Sequence, residues 1–247
     1  MKKQTVLIAI AAALAGFIAG FMLANTLNRS DMAARSIPVP QTAATPNNPA
    51  DPAQGTTLTP DEIKARIAAA DADPKNFSFQ KNLGLSLYRY ASLKQDATVL
   101  PDTIRIMQRA LDLDPEDRDL QIGLGNAHFD VGYFEKDNVA FERARAFYNK
   151  ALSRLPNDVD VRADLALTYF LQSPPDLNTA VAEFEKGLTI NGKHERSLQF
   201  LIQTYVKQGD KAKASQTLER LKAASPSNPA IGELTAMVAG ESGTNAK

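Results

Sequence analysis

A bulky residue, a neighbour that is usually small and a second bulky residue recur at i, i+1 and i+4 along the chain: Leu83-Gly84 with Leu87, Leu124-Gly125 with His128, Leu165-Ala166 with Tyr169, and Leu201-Ile202 with Tyr205. Positions so spaced share one face of an α-helix. After each lies a second apolar face with its own order of small, bulky and small: Ala144, Tyr148 and Ala151, then Ala180, Phe184 and Gly187, then Ala214, Leu218 and Leu221. The first block departs most, with Thr103, Met107 and Ala110 in those places. Small residues let two helices approach closely, and the bulky one fills the gap between them. The pattern predicts an all-α chain of paired helices.

The pairs end in register. Asp114-Pro115, Leu155-Pro156, Asn191-Gly192 and Ser225-Pro226 close four blocks whose last residues lie 41, 36 and 34 apart, and Asp73-Pro74 stands 41 residues before Pro115. A period in this range marks supersecondary units that cannot bury their apolar faces alone and must stack. Seven residues beyond a 34-residue unit amount to about two helical turns, so each helix of the long units is expected to be one turn longer. The extra residues fall near Lys94 to Leu100 and Glu135 to Phe141.

In spacing and residue type these blocks resemble the tetratricopeptide repeat family, over roughly Phe77 to Pro226. No block carries the family's Trp near the start of its first helix, and Leu221 stands where a small residue is usual. The resemblance implies a helix-turn-helix solenoid of about four repeats, at residues 77–115, 118–156, 159–192 and 195–226, with flanking capping helices. It also implies a concave groove lined by the first helices. In this chain that register selects Lys81, Asn82, Leu85, Tyr88 and Arg89, then Ile122, Asn126, Phe129 and Asp130. Asp164, Leu167 and Phe170 follow, and then Arg196, Gln199, Phe200, Gln203 and Lys207. Rings beside amides and a few charges suit an extended peptide or a partner helix. The competing reading makes several of these rings inter-repeat core. Family members that grip a terminal carboxylate need a set of cations and amides. Here only Lys81 fits, while Leu85, Gly123, Asp160 and Asp164 break the set.

Thr5 to Ala24 runs twenty residues without a charge, about 30 Å as a helix and so one bilayer core. Residues 1–4, with Lys2 and Lys3, precede it, and Arg29, Asp31 and Arg35 follow. The balance favours a cytoplasmic amino terminus and repeats outside the cytoplasm. It reads as a retained anchor, with a cleaved secretion signal as the competing reading. Ala12, Gly16, Gly20 and Ala24 form a smooth ridge that can pair helices and support a homo-oligomer; the alternative is that small residues are common in membrane helices.

Residues 25–59 turn to Pro, Ala, Thr, Asn and Gln, a composition that packs no core and reads as a tether. Thr59-Pro60-Asp61-Glu62 then opens a helix to Ala72: Thr59 can cap, Pro60 suits the first turn and the acids complement the helix dipole. At the other end Asn228 to Gly240 supplies a helix with Ile231, Leu234 and Val238 on one face, and residues 241–247 form a tail. Both flanking helices are expected to cap the stack.

Charge and candidate chemistry narrow the reading further. Basic and acidic residues number 28 each, which leaves no basic footprint for nucleic acid. There is no Cys for disulfides or lipid attachment. His128 and His194 lack metal-ligand spacing, so no metal or other cofactor is expected. The acidic run Asp112 to Asp119 lacks a calcium loop's central Gly and last Glu and reads as a solvated turn. The expectation is a non-enzymatic, membrane-tethered scaffold or assembly factor that binds a protein or peptide. Bacterial cytochrome c maturation factors are similar in architecture, and a self-associating structural tether is the other alternative.

Overall fold

Turn chemistry sets the architecture. The computed structural model describes residues 59–240, and these hold ten α-helices and no strand. Residues 5–24 with their Ala12, Gly16, Gly20, Ala24 ridge, the tether up to residue 58 and the tail 241–247 lie outside the described residues. Among the described residues no helix is long and apolar enough to cross a membrane.

The helices are α1 (Pro60–Ala72), α2 (Phe77–Lys94), α3 (Leu100–Leu113), α4 (Arg118–Glu135), α5 (Asn138–Arg154), α6 (Val159–Leu171), α7 (Leu177–Ile190), α8 (Glu195–Gln208), α9 (Lys211–Ala224) and α10 (Ile231–Ala239). The chain divides into two compact units, one ending at Leu120 and the other beginning at Gln121 within α4.

One turn is used five times between successive pairs. The N–H groups of Asn76, Asp117, Asp158, His194 and Asn228 donate to the carbonyls of Asp73, Asp114, Leu155, Asn191 and Ser225, at 3.0 to 3.3 Å. Three of these residues then cap the next helix. Asn76, Asp117 and Asp158 accept from the N–H of Phe79, Leu120 and Val161, satisfying donors that a helix start leaves open.

A second turn joins the two helices within a pair, and here an aspartate recurs. Asp96, Asp137, Asp176 and Asp210 each accept a backbone N–H at the start of the following helical segment. Each also donates its own N–H back to the preceding helix, to Ala91, Gly132, Tyr169 and Tyr205. Gln95, Lys136 and Gly209 precede three of them with positive φ. The left-handed region is unstrained for Gly209 and tolerated at the other two.

In the unit ending at Leu120, Ile63, Ala70, Leu83, Leu87 and Ile106 form the core, with Ile67, Phe79, Tyr90 and Val99 packed on it. Gly84 is where α2 meets α3: a Cβ there would lie 2.5 Å from Met107 Cγ. α1 begins with the expected cap, as Thr59 and Glu62 bond reciprocally. It is clamped by Asp71, which pairs with Arg105 and Arg109 on α3.

In the unit from Gln121, α5 packs on α6, α6 on α7, α7 on α8, α8 on α9, and α10 on both α8 and α9. The two first helices α6 and α8 also touch. The expected lengthening of helices holds for α4 and α5, at 18 and 17 residues against 13 and 14 in the next pair. It holds only in part for the pair before them. α2 gains a turn, α3 stays at 14 residues, and a 3-10 turn at Ala97–Val99 takes up the remainder.

Candidate partner-binding face

On α2 the selected residues sit at i, i+1, i+4, i+7 and i+8 and therefore share a face. Asn82 is exposed, and Leu85, Tyr88 and Arg89 are half-buried. Lys81 has a structural task instead. Its Nζ donates to Asp117 at 2.6 Å and to Asp119 at 3.0 Å, tying α2 to the acidic turn before α4. Burial works against its charge, but the two carboxylates outweigh that and hold its pKa above the ordinary value. The acidic run is thus a turn and helix start. Asp114 and Asp117 accept the N–H groups of Glu116 and Leu120.

In the second unit most of the selected side chains are enclosed rather than open. Phe129, Phe170, Phe200 and Leu167 are at most 1% exposed. The core reading therefore holds for the three rings, and the expectation that they stand open along a groove is corrected. Phe129 meets Phe141 edge-on at 5.7 Å, and Phe200 lies edge-on to Phe170 at 6.1 Å while stacking on Phe184 at 6.2 Å. The reason is area: an aromatic ring hides more apolar surface than any other side chain on these helices, so packing claims it first.

The polar members of the row are enclosed as well, and most bond to the chain itself. Asn126 Oδ1 accepts the Tyr148 hydroxyl at 2.9 Å. Asp164 accepts from the Arg196 guanidinium in a buried ion pair. Gln199 Nε2 donates to Asn228 Oδ1 at 2.9 Å, and Asn228 in turn donates to Glu195. Asp130 is buried and Ile122 half-buried.

The geometry that survives is a face shared by α6 and α8. Arg196, Gln199, Phe200, Gln203 and Lys207 follow at helical spacing on α8, and Asp164, Leu167 and Phe170 on α6. Contacts run the length of this face, from the Asp164–Arg196 pair through Phe170–Phe200 to Lys207, whose Nζ lies 4.9 Å from the Phe170 ring centre. Lys207 is the exposed member of the α8 row, though burial of its ammonium lowers its pKa. Gln203 has no solvent exposure, and neither its Nε2 nor its Oε1 has a partner.

The two histidines are placed by packing. His128 stacks on Phe147, rings 5.7 Å apart and 6° from parallel, and burial aided by the Arg143 charge pushes its pKa down to about 4. His194 bridges Asp160, at 3.1 Å, and Ser197, at 2.8 Å. Ser197 is fully buried, so this trio joins α6 to α8 and offers no accessible nucleophile. Among the described residues no three of His, Asp and Glu gather to hold a metal. A hollow of about 320 Å³ beside the turn between α5 and α6 is lined by Leu155, Pro156, Asn157 and Asp158.

Sequence reading missed the four aspartates that open the second helices, although Asp96 and Asp137 repeat at the period already noted. It also missed Asn138, whose amide pairs with both the N–H and the C=O of Ser173, at 3.0 and 2.6 Å. No local signal marked that residue, because its partner lies 35 positions away.

Comparison with known proteins places this geometry. Among solved structures the chain is similar to MamA, at 20% identity and a TM-score of 0.53, over 67% of this chain and 81% of that one. It is similar to a thermophilic tetratricopeptide repeat protein of Thermus thermophilus, at 13% identity and 0.53, over 72% and 89%. It is also similar to PilW, described as a widely conserved type IV pilus biogenesis factor, at 15% identity and 0.53, over 73% and 80%. No curated protein matches the chain. Residues 176–238 match the family model of the tetratricopeptide repeat, and the fold is an all-α, tetratricopeptide-like helix-turn-helix solenoid.

Proposed function

We propose that this chain is a membrane-tethered protein-interaction scaffold or assembly factor whose repeats lie outside the cytoplasm. In this reading the face shared by α6 and α8 receives a segment of a partner protein. The observation that carries it is the helical register that sets Asp164, Leu167 and Phe170 of α6 beside Arg196, Gln199, Phe200, Gln203 and Lys207 of α8, with Lys207 the exposed member of the α8 row and its ammonium over the Phe170 ring. Apolar strips with a few placed polar groups are what peptide-binding surfaces use. Support for assembly comes from a fold shared with a pilus biogenesis factor. Support for tethering comes from the uncharged run Thr5 to Ala24.

The test is a photocrosslinking side chain placed at position 207 in native membranes, with position 142, exposed on α5, as control. One discrete protein adduct at 207 and none at 142 is expected. Identical products at both positions, or none, would sink the proposal. Because the chain has no Cys, single cysteines report topology cleanly. Ser227→Cys should react with a membrane-impermeant maleimide in intact cells, and Lys3→Cys should not. The reverse pattern would overturn the external placement.

A further inference from the structure

Four of the five turns between helix pairs place a proline where the fifth places Gly192: Pro74, Pro115, Pro156 and Pro226 stand at the corresponding position. The backbone before it is alike in all five. Asn191 has φ −132° and ψ 93°, while Asp73, Asp114, Leu155 and Ser225 span φ −149° to −123° and ψ 69° to 88°. Nothing in the turn requires glycine at 192. Its φ is not positive, and a Cβ there would meet its nearest neighbour, the Leu188 carbonyl oxygen, at an ordinary 3.6 Å. What glycine adds over proline is an N–H. That N–H donates to no group among the described residues.

The free N–H follows an exposed asparagine, in the single Asn-Gly pair of the sequence. A backbone nitrogen can close a five-membered ring on the side-chain Cγ of the residue before it, and a glycine nitrogen has no side chain to crowd that approach. The amide of Asn191 is also polarised. Lys193 N–H donates to its Oδ1 at 3.1 Å, the oxygen on which negative charge gathers when Cγ is attacked. Asn157, exposed in the preceding turn, gives the contrast: the N–H that follows it, of Asp158, is held by the Leu155 carbonyl at 3.1 Å.

We propose that Asn191-Gly192 is a site of spontaneous covalent modification, deamidation through a succinimide, and that its isoaspartate product releases the start of α8. The Gly192 nitrogen gives up its proton and bonds to Asn191 Cγ. The Cγ–Nδ2 bond breaks, and the side-chain nitrogen leaves as ammonia with a proton equal to the one given up. Water then opens the ring at either carbonyl, and nothing is oxidised or reduced. Opening at Cγ yields aspartate. Opening at the main-chain carbonyl yields isoaspartate, in which Cβ and Cγ belong to the main chain.

The two products act differently on the turn. Aspartate fits it, because Asp114 occupies the same position and accepts the Glu116 N–H at 3.1 Å, as Asn191 accepts that of Lys193. Isoaspartate lengthens the main chain by one atom and turns into a side-chain carboxylate the carbonyl that accepts the His194 N–H at 3.0 Å. His194 opens α8: its carbonyl accepts the Leu198 N–H, and its ring bridges Ser197 and Asp160 of α6. Displacing His194 unfastens that end of α8 from α6.

The experiment incubates the full-length chain, in detergent, in mildly alkaline buffer made with heavy-oxygen water. Mass spectrometry of its peptides reads conversion, and an isoaspartyl-specific methyltransferase counts isoaspartate. Heavy oxygen should enter at position 191 about tenfold faster than at 157, or more, a difference of one decade in rate constant. Gly192→Pro should stop the conversion and melt at or above the wild-type temperature, since the backbone before it already suits proline. Gly192→Val, which crowds the same nitrogen, gives the same answer should proline disturb the turn. In the aged protein amide exchange should rise at His194 and Leu198, whereas Asn191→Asp should exchange as wild type does. Equal conversion at 191 and 157, conversion undiminished in both Gly192 variants, or none at 191 while a peptide of residues 186–197 converts, would overturn the site. An isoaspartate form that exchanges as slowly as wild type would overturn its effect on α8.

Discussion

Gly125 faces the ring of Tyr148 so closely that a Cβ on it would lie 2.6 Å from Cε1 and 2.7 Å from Cδ1. The same residue pair is braced from the side, because the Tyr148 hydroxyl donates to Asn126, the neighbour of Gly125. The ring is fully buried and has nowhere to move. Gly125→Ala should therefore destabilise by about 1 to 3 kcal/mol through overpacking, despite the better helix propensity of alanine. Tyr148→Phe should cost about 1 to 3 kcal/mol by stranding the Asn126 carbonyl. Urea denaturation of both variants checks this, and a Gly125→Ala chain as stable as wild type would refute the close approach.

His128 makes stability depend on pH. Its folded pKa, pushed down to about 4 by burial and then by Arg143, lies below the ordinary value near 6.5. Between those limits the unfolded chain takes up a proton that the folded one refuses, so stability falls as pH falls from about 6.5 to 4. Above 6.5 the group contributes no slope. The loss is about 2 kcal/mol, read as the difference between wild type and His128→Phe in chemical denaturation at pH 7 and pH 4.5. A difference that does not change with pH would contradict the assignment.

Asp164 and Arg196 form an ion pair in which both side chains are less than a tenth exposed. Removing one partner leaves the other charged and buried, so Asp164→Ala should cost about 3 to 5 kcal/mol. Replacing both with Leu and Met should recover most of that loss. Thermal melts of the single and double variants decide it, and additive losses would show that the two act separately.

The C-terminal cap is held by Asn228, which accepts from Gln199 and from the Ala230 N–H and donates to Glu195, while Leu234 of α10 is fully buried. Each unit of a stack leans on its neighbours only. Deleting residues 228–247 should thus raise amide hydrogen exchange first in α8 and α9. Uniform loosening from Gln121 onward, or no change, would count against the cap.

Much of the architecture was legible along the chain because it depends on local spacing. Leu83, Leu124, Leu165 and Leu201 with their partners mark the first helices, and the recurrent Asp-Pro, Leu-Pro and Ser-Pro closures mark the turns whose backbone bond repeats five times. The Thr59 cap was legible for the same reason, since the residues it serves are three positions away. The site was not. Register places Phe129, Phe170 and Phe200 on the faces of the first helices, yet it carries no information about how much of each ring the neighbouring helix hides.

The sequence alone determined the helical period, the pairing of small with bulky residues and the length of each unit, because those follow from contacts between residues a few positions apart. Tertiary structure alone decided that Asn126, Asp164 and Gln199 spend their polar groups on Tyr148, Arg196 and Asn228, each more than twenty positions distant. It also decided that Gln203 spends its amide on nothing. Hydrogen-bond partners are chosen by which helices stack, and stacking brings together residues that no local pattern joins.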